Sequence, residues 1–129
     1  MLNNKQLGYQ GEKLILENYS QKGYTLIVSN FEYRISSVQG RMGEIDLILK
    51  HPDKKIIVMV EVKTRNSQTF GDIKEQLSRK QIGHLYKAYQ YFLYKNKNFQ
   101  DHNFRFDFAT VYKGEIEIIE NAVDFDGLV

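Results

Sequence analysis

The sequence predicts an α/β domain, a mixed β-sheet with helices on both faces. Three observations carry that reading. Apolar residues recur at three- and four-residue steps in two stretches, from Leu7 to Tyr19 and from Ile82 to Leu93. Runs rich in β-branched and aromatic residues flank and separate these stretches. The resulting order is helix, three strands, helix, strand and a short added strand. The third strand, the second long helix and the next strand make a βαβ unit, whose strands should run parallel with a right-handed crossover.

The first helix spans about residues 4–22. Asn3 or Asn4 supplies a cap, and Gly23 stands where a left-handed residue ends a helix. Leu7, Gly11, Leu14, Ile15 and Tyr19 share one face, and Gly11, a poor helix former, implies a close packing contact. Residues 24–30 read as a strand that continues irregularly through Phe31 and Tyr33, and residues 36–43 as a mobile loop. A hairpin follows: Leu47-Ile48-Leu49, a polar turn over residues 51–55, then the apolar run from Ile56 to Val60. That unbroken run suits a central strand covered on both faces.

Residues 66–71 are polar and turn-like, and a short helical piece is expected over residues 72–77. Ser78 and Gln81 have capping-box spacing, opening a helix to about Asn96 whose aromatic stripe reads as core. Residues 104–112 alternate as a strand does, and Lys113-Gly114 turns tightly into a last strand over residues 115–119.

At 129 residues the chain suits one domain spanning residues 1–129, with an acidic tail from about residue 120. Hydrophobic residues at 42% and charged residues at 26% fit a soluble globular protein. Without cysteine there is neither a disulfide nor a thiolate metal site. No apolar run approaches a membrane span and no signal-peptide core is visible, so a cytoplasmic location is expected. The net charge of +2 is too small to argue for nucleic acid by itself. Its distribution says more: Lys74, Arg79, Lys80, Lys87, Lys95 and Lys97 are interrupted only by Glu75, whereas the last fifteen residues hold acids and no base.

The chemistry concentrates in Gly43-Glu44-Ile45-Asp46 and in Glu61-Val62-Lys63-Thr64-Arg65. Alternation puts Glu61 and Lys63 on one side of their strand. A register with Glu44 opposite Glu61 and Asp46 opposite Met59 would gather three carboxylates and an ammonium at the end of a buried strand pair. Asp46 and Ile48 would then share one face, and Ile45, Leu47 and Leu49 the other. Charges there are costly unless they bind something. The plain alternative is a salt bridge from Asp46 to Lys63 or Arg65, with the strand simply reaching solvent. Against it, Mg²⁺ takes oxygen ligands, commonly one or two carboxylates plus water and substrate. Asp46, Glu61 and the Val62 carbonyl offer such a set, and Mn²⁺ would substitute. Lys63 is then placed to orient a water or to offset charge on a phosphate.

An aspartate followed by Glu-x-Lys on the next strand and then a helix resembles the PD-(D/E)XK nuclease superfamily. The ordered set of Gly11-Glu12, Gly23-Tyr24, Gly43-Glu44-Ile45-Asp46-Leu47-Ile48, Val60-Glu61-Val62-Lys63-Thr64-Arg65, Phe70-Gly71, Lys80 and Arg105-Phe106-Asp107 resembles the small YraN-like family. That family is similar to archaeal Holliday-junction resolvases. The resemblance implies a restriction-endonuclease-like three-layer core, with Asp46, Glu61 and Lys63 as the catalytic triad. It implies Glu12 as a further acid near the metal, Glu44 as a supporting one, and Lys80, Arg65 and Arg41 as nucleic-acid contacts. It also implies a two-fold homodimer, as resolvases commonly form. Arg105 and Asp107 share a face and pair most economically with each other or with the hairpin charges.

Three functions follow: a metal-dependent endonuclease acting on DNA, structured or branched; a nucleic-acid-binding module on the same fold that does not cut; and an interaction domain whose charges form a structural ion network.

Overall fold

The computed structural model describes residues 3–36, 41–64 and 79–123. Its elements are α1 (Asn4–Gln21), β1 (Thr25–Ser36), β2 (Arg41–Lys50), β3 (Ile56–Thr64), α2 (Arg79–Lys95), β4 (Asn103–Tyr112) and β5 (Glu115–Ile119), with a single 3₁₀ turn at Lys97–Phe99. The predicted helical piece at residues 72–77 and the Ser78 cap lie outside the described residues.

Helix α1 begins where its sequence says it should. Asn3 Oδ1 accepts from the Gln6 N–H and Gln6 Oε1 accepts from the Asn3 N–H, both at 2.9 Å, so two otherwise orphaned donors are satisfied. It ends at Gly23, whose φ of 92° reverses the chain into β1.

The five strands pair in sequence order, β1-β2-β3-β4-β5. All neighbours are antiparallel except β3 and β4, which run parallel as the βαβ reading requires. Lys113 (φ 49°) and Gly114 (φ 81°) form the tight β4–β5 turn in the left-handed pair of conformations that suits strand twist.

Successive residues of β3 go to opposite sides. Val58 and Val60 join Leu47, Leu49, Ala109 and Val111 beneath Ile15 and Tyr19 of α1. Ile57 and Met59 join Ile48, Phe106 and Phe108 beneath Leu85, Ala88 and Phe92 of α2. The sheet thus carries two separate cores, one for each helix. Burying a side chain such as Phe92, which is fully covered, contributes roughly 1.5–3 kcal/mol. The aromatic stripe of α2 divides: Phe92 is core, whereas Tyr86 and Tyr94 are exposed.

Three expectations need correction. Residues 36–43 are not one loop: β1 runs to Ser36 and β2 starts at Arg41, with Arg34 paired to Met42 and Ser36 to Arg41. The ladder there is held by main-chain hydrogen bonds, which the weakly apolar sequence does not advertise. The β2–β3 register is two residues away from the expected one, with Met59 opposite Ile48 rather than Asp46. Ile45 joins the α2-side core with Ile48 instead of the Leu47 face. The cause lies across the ladder. Asn30, between the Ser29–Leu47 and Phe31–Ile45 pairs, has a φ of 52° that breaks the alternation of faces.

One polar group lies deep in the sheet. Asp107 is fully buried and accepts from Tyr19 Oη (2.7 Å), Arg105 Nε (2.9 Å), Arg105 Nη2 (2.8 Å) and the Asn121 N–H (2.9 Å). Arg105 also donates to Tyr24 Oη at 3.0 Å. The Arg105–Asp107 pair expected from sequence is therefore the hub that ties α1, β4 and the chain after β5 together. Asp107→Ala leaves an arginine, a phenol and an N–H without their acceptor, and should cost about 3–5 kcal/mol in denaturant unfolding.

Candidate active site

The β2–β3 ladder ends at the Leu47–Val60 pair. Past it, β2 continues beside β1 through Ile45, Glu44 and Gly43, while β3 continues beside β4 through Glu61, Val62, Lys63 and Thr64. The sheet forks there. One further step along the lost register sets Asp46 against Glu61, at the mouth of the fork. Asp46 Oδ2 accepts from the Val62 N–H at 2.8 Å, so a side chain takes over where the main chain of β2 no longer reaches. Among the described residues Asp46 forms no ion pair, which removes the expected alternative of a bridge to Lys63.

Lys63 turns to Glu61 instead, with Nζ 3.4 Å from Oε1. The lysine side chain is 54% exposed and the glutamate 24%, so the pair is weak and its ammonium faces outward. Glu12 approaches from α1. Gly11 makes that approach possible, because a Cβ there would lie 2.5 Å from Thr64 Oγ1 of β3. The close contact inferred for this glycine is thus what brings the neighbouring acid to the strand ends.

Like charges in a half-dry fork hold protons tightly. Burial, then the Asp46 charge, pushes Glu12 up to about 7. Burial, then Asp46, likewise pushes Glu61 up to about 7, against the pull of Lys63. Asp46 is raised by burial too, but is held back by the Val62 N–H and by a hydrogen bond from Glu12. The two directions agree: Glu12 keeps the proton and donates it towards an ionised Asp46.

Two residues at this site escaped the sequence reading. Asn30 Nδ2 donates to Glu44 Oε1 at 2.8 Å and also faces Glu12. Tyr33, buried, lies beside Glu61, and burial followed by that charge raises its phenol. Its ring also covers Gly43, where a Cβ would come within 2.5 Å of Cζ. The glycine of the Gly-Glu-Ile-Asp motif therefore makes room for Tyr33. An asparagine in the middle of a strand, followed by Phe31 and Tyr33, was the available signal.

Glu44 is exposed and sits opposite Glu32 rather than Glu61. Val62 enters through its N–H. Arg41 is the first residue of β2 and Lys80 the second of α2; their side chains, and all of Arg65, lie outside the described residues. Among the described residues no three acidic, His or Cys side chains are arranged to hold a metal ion. The acids sense one another electrostatically without closing into a cage.

These shifts fix a sign. Glu12 and Glu61 both start from an ordinary value of 4.5 and rise when folded, so the native state binds more protons than the unfolded chain between about 4.5 and about 7. Stability is greatest below that window and falls as pH rises through it. Without divalent cations the Tm should drop from pH 5 to pH 8, and Glu12→Gln and Glu61→Gln should each remove part of the drop.

A family model described as "Uncharacterised protein family UPF0102" matches residues 11–111, which include every described acid of the fork. A UPF0102 protein of Caldicellulosiruptor bescii is 35% identical over 111 residues, covering 86% of each chain. Another, from Flavobacterium johnsoniae, is 34% identical over 127 residues, covering 96% of each. A third, from Syntrophomonas wolfei, reaches 40% identity over 85 residues and 66% of each chain. With matches of this extent and identity, the chain belongs to the uncharacterised protein family UPF0102, the YraN-like family that its motifs resemble.

Proposed function

We propose that this protein is a metal-dependent endonuclease that hydrolyses DNA phosphodiester bonds, with structured or branched DNA as its substrate class. The proposal includes a fold of the PD-(D/E)XK type, in which the two helices and the sheet are the three layers of a restriction-endonuclease-like core. One observation carries it: Asp46 and Glu61 come together at a fork in the sheet, and among the described residues the backbone, not a cation, holds Asp46.

The donor set fits Mg²⁺ or Mn²⁺. It is all oxygen, carries an excess of negative charge over the Lys63 ammonium among the described residues, and includes acids whose protons a divalent ion would displace. Asp46 and Glu61 would hold the ion, with the Val62 carbonyl and Glu12 beside them. Bound there, the metal would supply an acidified water and charge neutralisation at the phosphate. The remaining work falls to the chain. Lys63, outward-facing beside Glu61, orients the attacking water and offsets charge as the new oxygen–phosphorus bond forms and one ester bond breaks. Glu44 supports the acids from the rim, and Lys80, Arg65 and Arg41 would contact phosphate.

A non-cleaving nucleic-acid-binding module on the same fold is the second reading. It is favoured by the loose spacing of the acids and by the contact that Lys63 already makes with Glu61.

Metal at a hundredfold excess over its Kd should stabilise the protein by about 2.7 kcal/mol. For a domain of this size that raises Tm by roughly 10 °C, and Asp46→Ala should abolish the rise. Incubation with linear, nicked, flapped and four-way DNA should give metal-dependent cleavage that Lys63→Ala reduces at least about 100-fold. Salt-sensitive DNA binding with no cleavage would favour the second reading. The absence of any metal shift would overturn the first.

A further inference from the structure

The geometry points to Asn30 as a positioning residue for the acidic fork, holding Glu12 and Glu44 as ligand-ready carboxylates. This rests on the metal-dependent reading above. Asn30 stands inside β1 with a φ of 52°, between the Ser29–Leu47 and Phe31–Ile45 pairs and hence across from Asp46. Asparagine is among the few residues that adopt this left-handed conformation readily. The kink places its side chain where a regular strand residue would not sit. Its amide group has two N–H donors. Asn30 Nδ2 donates to Glu44 Oε1 at 2.8 Å, and the same side chain faces Glu12.

The chemistry of an amide is what matters. A lysine or arginine in this place would neutralise the acids and compete with a cation. An uncharged donor orients both carboxylates and leaves their charge for the ion. Side chains that orient metal ligands in this way typically contribute 10- to 100-fold to metal affinity.

The test is Mn²⁺ binding at pH 8, followed by the electron paramagnetic resonance of free Mn²⁺, with no DNA present. Asn30→Gly keeps the left-handed backbone and removes the amide. Asn30→Asp keeps the shape and replaces the donors with an acceptor, which serves if the glycine variant melts without cooperativity. Both should bind Mn²⁺ about 10-fold more weakly or worse. In a Glu12→Gln, Glu44→Gln background Asn30→Gly should add little further loss, because both partners through which it acts are already gone. Unchanged or tighter binding in both variants overturns the assignment, as does a penalty of the same size with and without the two acids. Failure of the nuclease reading looks different: the unmodified protein itself would take up no Mn²⁺, and the role of Asn30 would fall with it.

Discussion

The hydrogen bond from the Val62 N–H to Asp46 is the contact on which the candidate site depends. A sheet that forks exposes main-chain donors that must find acceptors, and leaving one buried and unpaired costs about 1–3 kcal/mol. Here the acceptor is a carboxylate, so satisfying the backbone also fixes an acid at the mouth of the fork. Glu61 stands one residue beyond the last position of β3 that pairs with β2, and the strand that should have faced it has turned away with β1. The opening and the acids therefore have one origin.

Holding acids this way is expensive, and the protonation pattern shows how the protein reduces the cost. Glu12 and Glu61 retain protons near neutrality because burial and Asp46 both oppose their charge. The exposed Lys63 ammonium offsets part of the repulsion but does not close the site. By contrast, Asp107, fully buried elsewhere in the sheet, is saturated by four donors. One acid is used up by the structure; the other group keeps unspent acceptor capacity. That difference separates a structural carboxylate from one available to a ligand.

Much of the fold was legible because its signals are local. An asparagine cap at residue 3 or 4, Gly23, the Lys113-Gly114 turn and the apolar run of β3 each specify their own geometry within a few residues. The parallel β3–β4 pairing followed from connection rules rather than from any single residue. The face shared by Glu61 and Lys63 was legible from alternation alone. Its partner positions were not, because periodicity cannot distinguish registers two residues apart. Asn30 was hidden for a related reason. A single left-handed residue inside a strand leaves no periodic trace, yet it turns Ile45 into the α2-side core and brings an amide to Glu12.

The kink in β1 also bears on how the molecule keeps to itself. β1 is a sheet edge, and a long flat edge invites a strand from another copy to add on. This one offers a poor template: its register slips between Leu26 and Val28 and again between Arg34 and Ser36, with left-handed Asn30 between the slips. At the opposite edge β5 is only five residues long and exposes Glu115 and Glu117. The irregularity that shapes the acidic fork thus also guards against edge-to-edge aggregation, so regularising β1 would trade solubility as well as chemistry.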